Sequence, residues 1–149
     1  MEHISASGNG YIWAVGTGSV VHKCKKPCKG EWEAVDDGPQ PIRQLDGEYG
    51  LVYAVTRNGE VYSRLVDGSG SWRKIPGPTG EEMVYVTASG RDVITGITAG
   101  GNIYHCMKPC VGEWEKMEGS ARQCDANINE VYCINSITKL GLYPVILNN

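Results

Sequence analysis

Lys26-Pro27-Cys28-Lys29-Gly30-Glu31-Trp32-Glu33 returns as Lys108-Pro109-Cys110-Val111-Gly112-Glu113-Trp114-Glu115, and only the Lys29/Val111 position differs, so seven of eight residues agree. Chance does not produce such a match, and internal periodicity decides the fold before anything else does. Ser71-Trp72-Arg73-Lys74 lies between the two copies and places a third tryptophan in series; Trp32, Trp72 and Trp114 are 40 and 42 residues apart. The stretch upstream of each tryptophan repeats too. Ile12-Trp13-Ala14-Val15 corresponds to Val52-Tyr53-Ala54-Val55, Ile94-Thr95-Gly96-Ile97 and Val131-Tyr132-Cys133-Ile134. Polar turns follow at Gly16-Thr17-Gly18, Arg57-Asn58-Gly59, Gly100-Gly101-Asn102 and Thr138-Lys139. A further apolar run then comes at Val20-Val21-His22, Val61-Tyr62-Ser63, Ile103-Tyr104-His105 and Leu142-Tyr143-Pro144-Val145. Asn58-Gly59 between two such runs is a hairpin signal.

Each unit therefore reads as four short strands, the last carrying the tryptophan. Four strands in about 40 residues is the arithmetic of a β-propeller blade. A helical repeat would show a 3.6-residue period, which is missing; a β-sandwich is the alternative all-β reading. The units span about 4–39, 42–77, 84–120 and 121–149 of a single all-β segment, 1–149. The fourth starts near Arg122-Gln123-Cys124-Asp125, an echo of Arg43-Gln44-Leu45-Asp46, and runs out before a fourth strand or a tryptophan. The expected fold is an incomplete propeller arc of about 3.7 four-stranded blades. Its open edges invite pairing into a homo-oligomer.

Composition bounds the partners. With 14 basic against 17 acidic residues the net charge is −3, which gives no electrostatic reason to expect nucleic acid. No apolar run approaches the roughly 18 residues that cross a bilayer, so membrane insertion is not expected. The start, Met1-Glu2-His3-Ile4-Ser5, lacks the basic and apolar pattern of a signal peptide. Six cysteines point instead to an oxidising compartment.

The order Gly, Val-Tyr/Trp-Ala/Gly-Val, Asn-Gly, Val/Ile-Tyr, Gly-x-Trp, Pro-Gly resembles the tectonin repeat. With the Cys-x-x-x-Cys loop before the tryptophan, the whole chain is most similar to the fish-egg lectin family, and is related to the horseshoe-crab lectin of the same repeat type. The resemblance implies a secreted, six-bladed propeller that binds N-acetylglucosamine-type sugars and bacterial surface glycans such as lipopolysaccharide, and serves innate defence in egg or mucosa. Against that pattern the chain looks like the C-terminal four blades, lacking about two blades and the strand that closes the ring. The other reading is a protein-interaction propeller, or a truncated paralogue without sugar binding.

Cysteine spacing favours three local disulfides among the fifteen possible pairings. Cys24–Cys28 and Cys106–Cys110 occupy equivalent loops. Cys124 and Cys133 fall on adjacent strands, where the other units hold Ser5 with Ala14, Leu45 with Ala54, and Thr87 with Gly96. The alternatives are zinc, with His22 or His105 joining the first two pairs, and free thiols. No metal or cofactor is expected.

Trp32, Trp72 and Trp114 recur once per blade, as packing residues do, and Trp13, Tyr53 and Tyr132 recur in the same way. Sugar-binding candidates are therefore sought among polar residues near loops, which a propeller presents on a rigid scaffold. They are Arg43, Asp46, Arg57, Asn58, Asp92 and Asn102, with Thr17 and Asp125 at related positions. Amides, carboxylates and guanidinium groups match sugar hydroxyls. No catalytic pattern is visible: His3, His22 and His105 have no nucleophile at a diagnostic spacing, and no hydrolase or phosphate-loop motif occurs. The chain is read as a binding protein and not an enzyme. It has no Asn-x-Ser/Thr sequon.

Overall fold

The structure is a computed structural model; it describes residues 2–7, 10–35, 38–39, 41–48, 50–88, 91–127 and 130–135, with the backbone alone for Tyr143–Ile146. The turn expected at Thr138-Lys139, and Leu142, lie outside the described residues.

Four antiparallel meanders follow one another along the chain. The first sheet is β1 (His3–Ala6), β2 (Tyr11–Val15), β3 (Val21–Lys25) and β4 (Glu33–Val35). The second is β5 (Ile42–Glu48), β6 (Leu51–Thr56), β7 (Val61–Leu65) and β8 (Arg73–Ile75). The third is β9 (Met83–Thr87), β10 (Val93–Thr98), β11 (Asn102–Met107) and β12 (Trp114–Ser120). The fourth shows β13 (Gln123–Ala126), β14 (Glu130–Ile134) and β15 (Tyr143–Ile146). The first strands pack side by side, β1 on β5, β5 on β9 and β9 on β13, so the sheets radiate from a common axis as blades. Trp32 and Trp72 stand just before the fourth strand of their blades, while Trp114 opens it.

The β6–β7 turn shows how sequence sets a hairpin. Gly59 has φ +80° and donates its N–H to Thr56 O, and a Cβ there would run into Glu82. Only glycine takes that conformation without penalty.

Alternation along each strand sends one set of side chains to each neighbouring blade. Trp13, Val15 and Val21 of blade 1 meet Leu45, Val52 and Ala54 of blade 2. Tyr53, Val55, Val61 and Ile75 of blade 2 meet Met83, Val86, Ile94 and Cys106 of blade 3. Ile97 and Ile103 of blade 3 meet Cys124, Val131 and Cys133 of blade 4. The core is thus three seams between blades.

All three expected disulfides are present: Cys24–Cys28, Cys106–Cys110 and Cys124–Cys133, with Cα separations of 5.6, 5.4 and 4.1 Å. The sulfurs are bonded to one another, so neither loop pair offers the thiolates that the zinc alternative requires. Three disulfides fit an oxidising environment. One expectation needs correction. Cys124 does face Cys133 and Leu45 does face Ala54, but Ala14 is opposite Ile4 rather than Ser5, and Gly96 is opposite Val86 rather than Thr87. A one-residue slip swaps the faces of a strand. The correct register makes Ser5, Asp46, Thr87 and Asp125 equivalent, opposite Trp13, Tyr53, Thr95 and Tyr132.

Candidate functional site

The loops between third and fourth strands differ between blades in a way that opens a cleft. In blade 3 the Cys106–Cys110 loop fills the space against blade 2. Cys110 is fully buried, and its carbonyl accepts a bond from Arg73 Nη2 (3.0 Å). Trp114 Nε1 donates to Pro76 O (2.8 Å), and Lys108 Nζ reaches both Glu48 Oε2 (2.7 Å) and Ala88 O (2.6 Å).

From the second strand to the tryptophan, blade 2 aligns with blade 3 without a gap, yet Arg64 stands in place of Cys106 and Gly68 in place of Cys110. Arg64 Nη2 donates to Gly68 O at 2.7 Å, and its guanidinium lies 5.9 Å from the Trp72 ring centroid. A hydrogen bond thus spans the four residues that a disulfide spans elsewhere. The resulting turn is small, closed by Asp67 Oδ1, which accepts from Ser69 N (2.8 Å) and Ser69 Oγ (2.7 Å).

Between this turn and blade 1 lies a cleft of about 420 Å³ lined by Tyr11, Gly50, Leu65, Val66 and Asp67. Its volume falls in the range of small-ligand sites. Trp13 Nε1 donates to Val66 O (2.8 Å) and fixes the turn to blade 1. Lys23 Nζ sits 5.7 Å from the Tyr11 ring centroid and donates to Asp67 O (2.9 Å), while pairing with Glu33 (3.1 Å). Gly68 makes room for that ammonium: at φ +83°, a Cβ would approach Lys23 Nζ to 2.7 Å. The bonds from the Ser69 hydroxyl and then from its backbone N–H hold the Asp67 carboxyl below the usual range, so it is an ionised acceptor at neutral pH. The cleft thus combines an aromatic ring, the apolar Leu65 side chain and a carboxylate, with the Lys23 ammonium next to Tyr11 and Asp67.

The six sequence candidates do not meet at one place. Asp46 is a clasp between blades: its Oδ1 accepts Ser5 Oγ (2.6 Å) and its Oδ2 accepts Thr87 Oγ1 (3.1 Å) and Ala88 N (2.8 Å). Arg43 is exposed on β5, at an irregularity in the β5–β6 register. Arg57 is tied to Ser19 Oγ and Glu2 (3.2 Å each), and Asn58 is exposed in its hairpin turn. Asn102 Nδ2 donates to Glu81 Oε1 (2.8 Å). Arg57 and Asn58 lie in the β6–β7 turn and Asn102 opens β11, all at the opposite end of the strands from the cleft. Asp92 is on the cleft's end but in blade 3, where its carbonyl accepts Lys108 N (2.8 Å). Tyr11, Leu65 and Asp67, which line the cleft, and Lys23 beside them were not among the sequence candidates; the sequence feature that points to the cleft is the exchange of both loop cysteines for Arg64 and Gly68.

The recurrent aromatic residues behave as packing groups where a neighbour exists. Trp72 meets Trp13 edge-on at 6.1 Å, and Tyr53 is sealed in its seam. Burial pushes the Tyr53 phenol up to about 12.

No protein-family model matches the chain, and the search of curated proteins found no match. Solved structures do resemble it. Yeast RCC1 (Prp20), in a crystal structure bound to Kap60, has 11% identity over 87% of this chain and 40% of that one, with a TM-score of 0.66. YCF48 from Cyanidioschyzon merolae has 15% identity over 99% and 56%, with a TM-score of 0.67. The computationally designed Ika4 protein has 12% identity over 97% and 90%, with a TM-score of 0.68. The fold is a β-propeller. This chain spans about two fifths of the length of RCC1. At these identities the likeness establishes fold alone.

Proposed function

We propose that this chain is a recognition propeller that binds without catalysing a reaction, and that its ligand is a carbohydrate taken into the cleft between blades 1 and 2. The observation that carries the reading is the lining of that cleft. Tyr11 and Leu65 offer an apolar surface to the C–H face of a pyranose, and Asp67 offers an acceptor to its hydroxyls, with the Lys23 ammonium beside them. The lining holds a single carboxylate, whereas glycoside hydrolysis ordinarily uses two. The tectonin-type repeat supports an N-acetylglucosamine-type sugar or a bacterial glycan, including lipopolysaccharide, as the ligand class. The disulfides support an extracellular, secreted setting, with innate defence as the role that follows from the resemblance.

A protein or peptide ligand is the second reading, and the solved propellers favour it over the first. RCC1 (Prp20) is seen bound to Kap60, and YCF48 is seen bound to D1 peptide. The two readings separate in one experiment: glycan-array binding by the disulfide-intact chain, with free N-acetylglucosamine as competitor, beside Tyr11→Ala and Asp67→Ala. Sugar recognition predicts competed binding that each substitution weakens at least tenfold. A folded protein that binds no amino-sugar glycan, yet retains a protein partner in the presence of sugar, contradicts it.

A further inference from the structure

The disulfide loop that blade 1 presents beside the cleft carries uncompensated positive charge. Residues 23–33 hold four lysines against two glutamates, while the equivalent residues 105–115 of blade 3 hold one lysine against two. Two of the four are committed. Lys23 bonds Asp67 O and Glu33, and Lys26 Nζ donates to Ser7 O (2.7 Å), as its equivalent Lys108 does to Ala88 O. Lys25 and Lys29 are exposed, and neither ammonium has a hydrogen bond or an ion pair among the described residues.

Their exposure is a property of the loop itself. Met107 and Val111 hold the same two places in blade 3 and are 67% and 58% exposed, although blade 2 lies against that loop. Leu65, the blade 2 residue equivalent to Lys25, is 49% exposed with blade 3 beside it.

Strand pairing brings one of these charges to the cleft. Lys25 is directly opposite Tyr11 across β2–β3, and directly opposed residues of an antiparallel pair share a face. Tyr11 lines the cleft, so Lys25 stands at its rim. Lys29 is held close by. Lys25 and Lys29 each follow one of two bridged cysteines whose Cα atoms are 5.6 Å apart. With about 3.8 Å between successive Cα atoms, the two lysines lie within about 13 Å of each other, a span that two long side chains can close on one group.

We propose that the sugar taken into the cleft carries an oxyanion ester, a sulfate or a phosphate, and that Lys25 and Lys29 receive it. The proposal rests on the carbohydrate reading of the cleft and adds the class of sugar. Ammonium groups bond anionic oxygens more strongly than neutral ones, and an ester of this kind offers several such oxygens to two lysines approaching as separate donors. Tyr11 and Asp67 take the ring and its hydroxyls, as they do for a neutral sugar.

Heteronuclear NMR titrations of the disulfide-intact chain with N-acetylglucosamine, its monosulfate ester and its monophosphate ester test this, with circular dichroism confirming the fold of the variant. One or both esters are expected to bind about fivefold or more tighter than the neutral sugar in dilute buffer, with the advantage shrinking in high salt. A preference confined to one ester supports the proposal and names the source of the anion. In the Lys25→Gln/Lys29→Gln double variant the advantage is expected to vanish while the neutral sugar keeps its affinity. Esters that bind no tighter than the neutral sugar overturn the proposal and leave the cleft reading standing. An advantage that survives in the double variant also overturns it. Failure of all three sugars to bind overturns the cleft reading and the proposal together.

Discussion

The loops Lys26–Glu33 and Lys108–Glu115 share sequence, a disulfide, a cis proline and a left-handed glycine, at φ +97° for Gly30 and +103° for Gly112. They differ in what lies against them. The second is pressed on blade 2, with Gly112 against Pro76, Trp114 bonded to Pro76 O and Arg73 bonded to Cys110 O. Nothing lies within 4 Å of the place where a Cβ would stand on Gly30. Sequence identity therefore sets local shape, while the neighbouring residues set what each loop is bonded to.

Substitutions made in pairs sharpen the contrast. The largest difference is expected for the tryptophans. Trp114→Ala should cost about 2–4 kcal/mol, through lost packing and a lost hydrogen bond. Trp32, half-buried as well but without that cross-blade hydrogen bond among the described residues, should cost about 1 kcal/mol less on substitution by Ala. Urea denaturation at neutral pH with disulfides intact measures both, and equal costs would break the comparison. The glycines come next. Ala at either position meets the left-handed penalty of about 1 kcal/mol. Gly112→Ala adds a 3.0 Å approach to Pro76 that Gly30→Ala lacks, so it should be the worse of the two.

The smallest effect at neutral pH concerns the equivalent tyrosines of blades 2 and 4. Tyr53 is sealed, with its hydroxyl unpartnered among the described residues, so Tyr53→Phe should be neutral or slightly stabilising. Its phenol is raised from 10 to about 12 by burial, so the stability tied to its neutral form is complete below pH 10 and is lost as pH rises toward 12. Tyr53→Phe should therefore blunt alkaline unfolding between pH 10 and 12. Tyr132 instead donates to Glu130 Oε2 (2.6 Å) at the surface, and its phenol is raised first by that bond. Tyr132→Phe should leave the folding free energy essentially unchanged at pH 7.

Much of this architecture was legible in the sequence. The repeated tryptophan loops gave the blade period, and the cysteine spacing gave the three disulfides. The register of the axial strand was not legible to one residue, because Ile4-Ser5-Ala6 and Val86-Thr87-Ala88 lack the strict alternation that would pin a face. Asp46 is a candidate by residue type, and its bonds to Ser5, Thr87 and Ala88 of the flanking blades could not be read from spacing. Polar residues near loops carry no mark that separates a clasp from a contact. The cleft was written in the sequence only as a departure, Arg64 and Gly68 where the other two loops have cysteines. Its walls come from two blades, and spacing within one repeat does not reveal them.

The central claim is that this departure opens a sugar-binding cleft, and a heteronuclear NMR titration of the disulfide-intact chain with N-acetylglucosamine tests it most directly. The account predicts saturable amide shifts clustered at Tyr11, Lys23, Gly50 and Leu65–Ser69, with the equivalent Met107–Val111 segment of blade 3 unmoved. Shifts confined to other blades, or none at millimolar sugar, would contradict it.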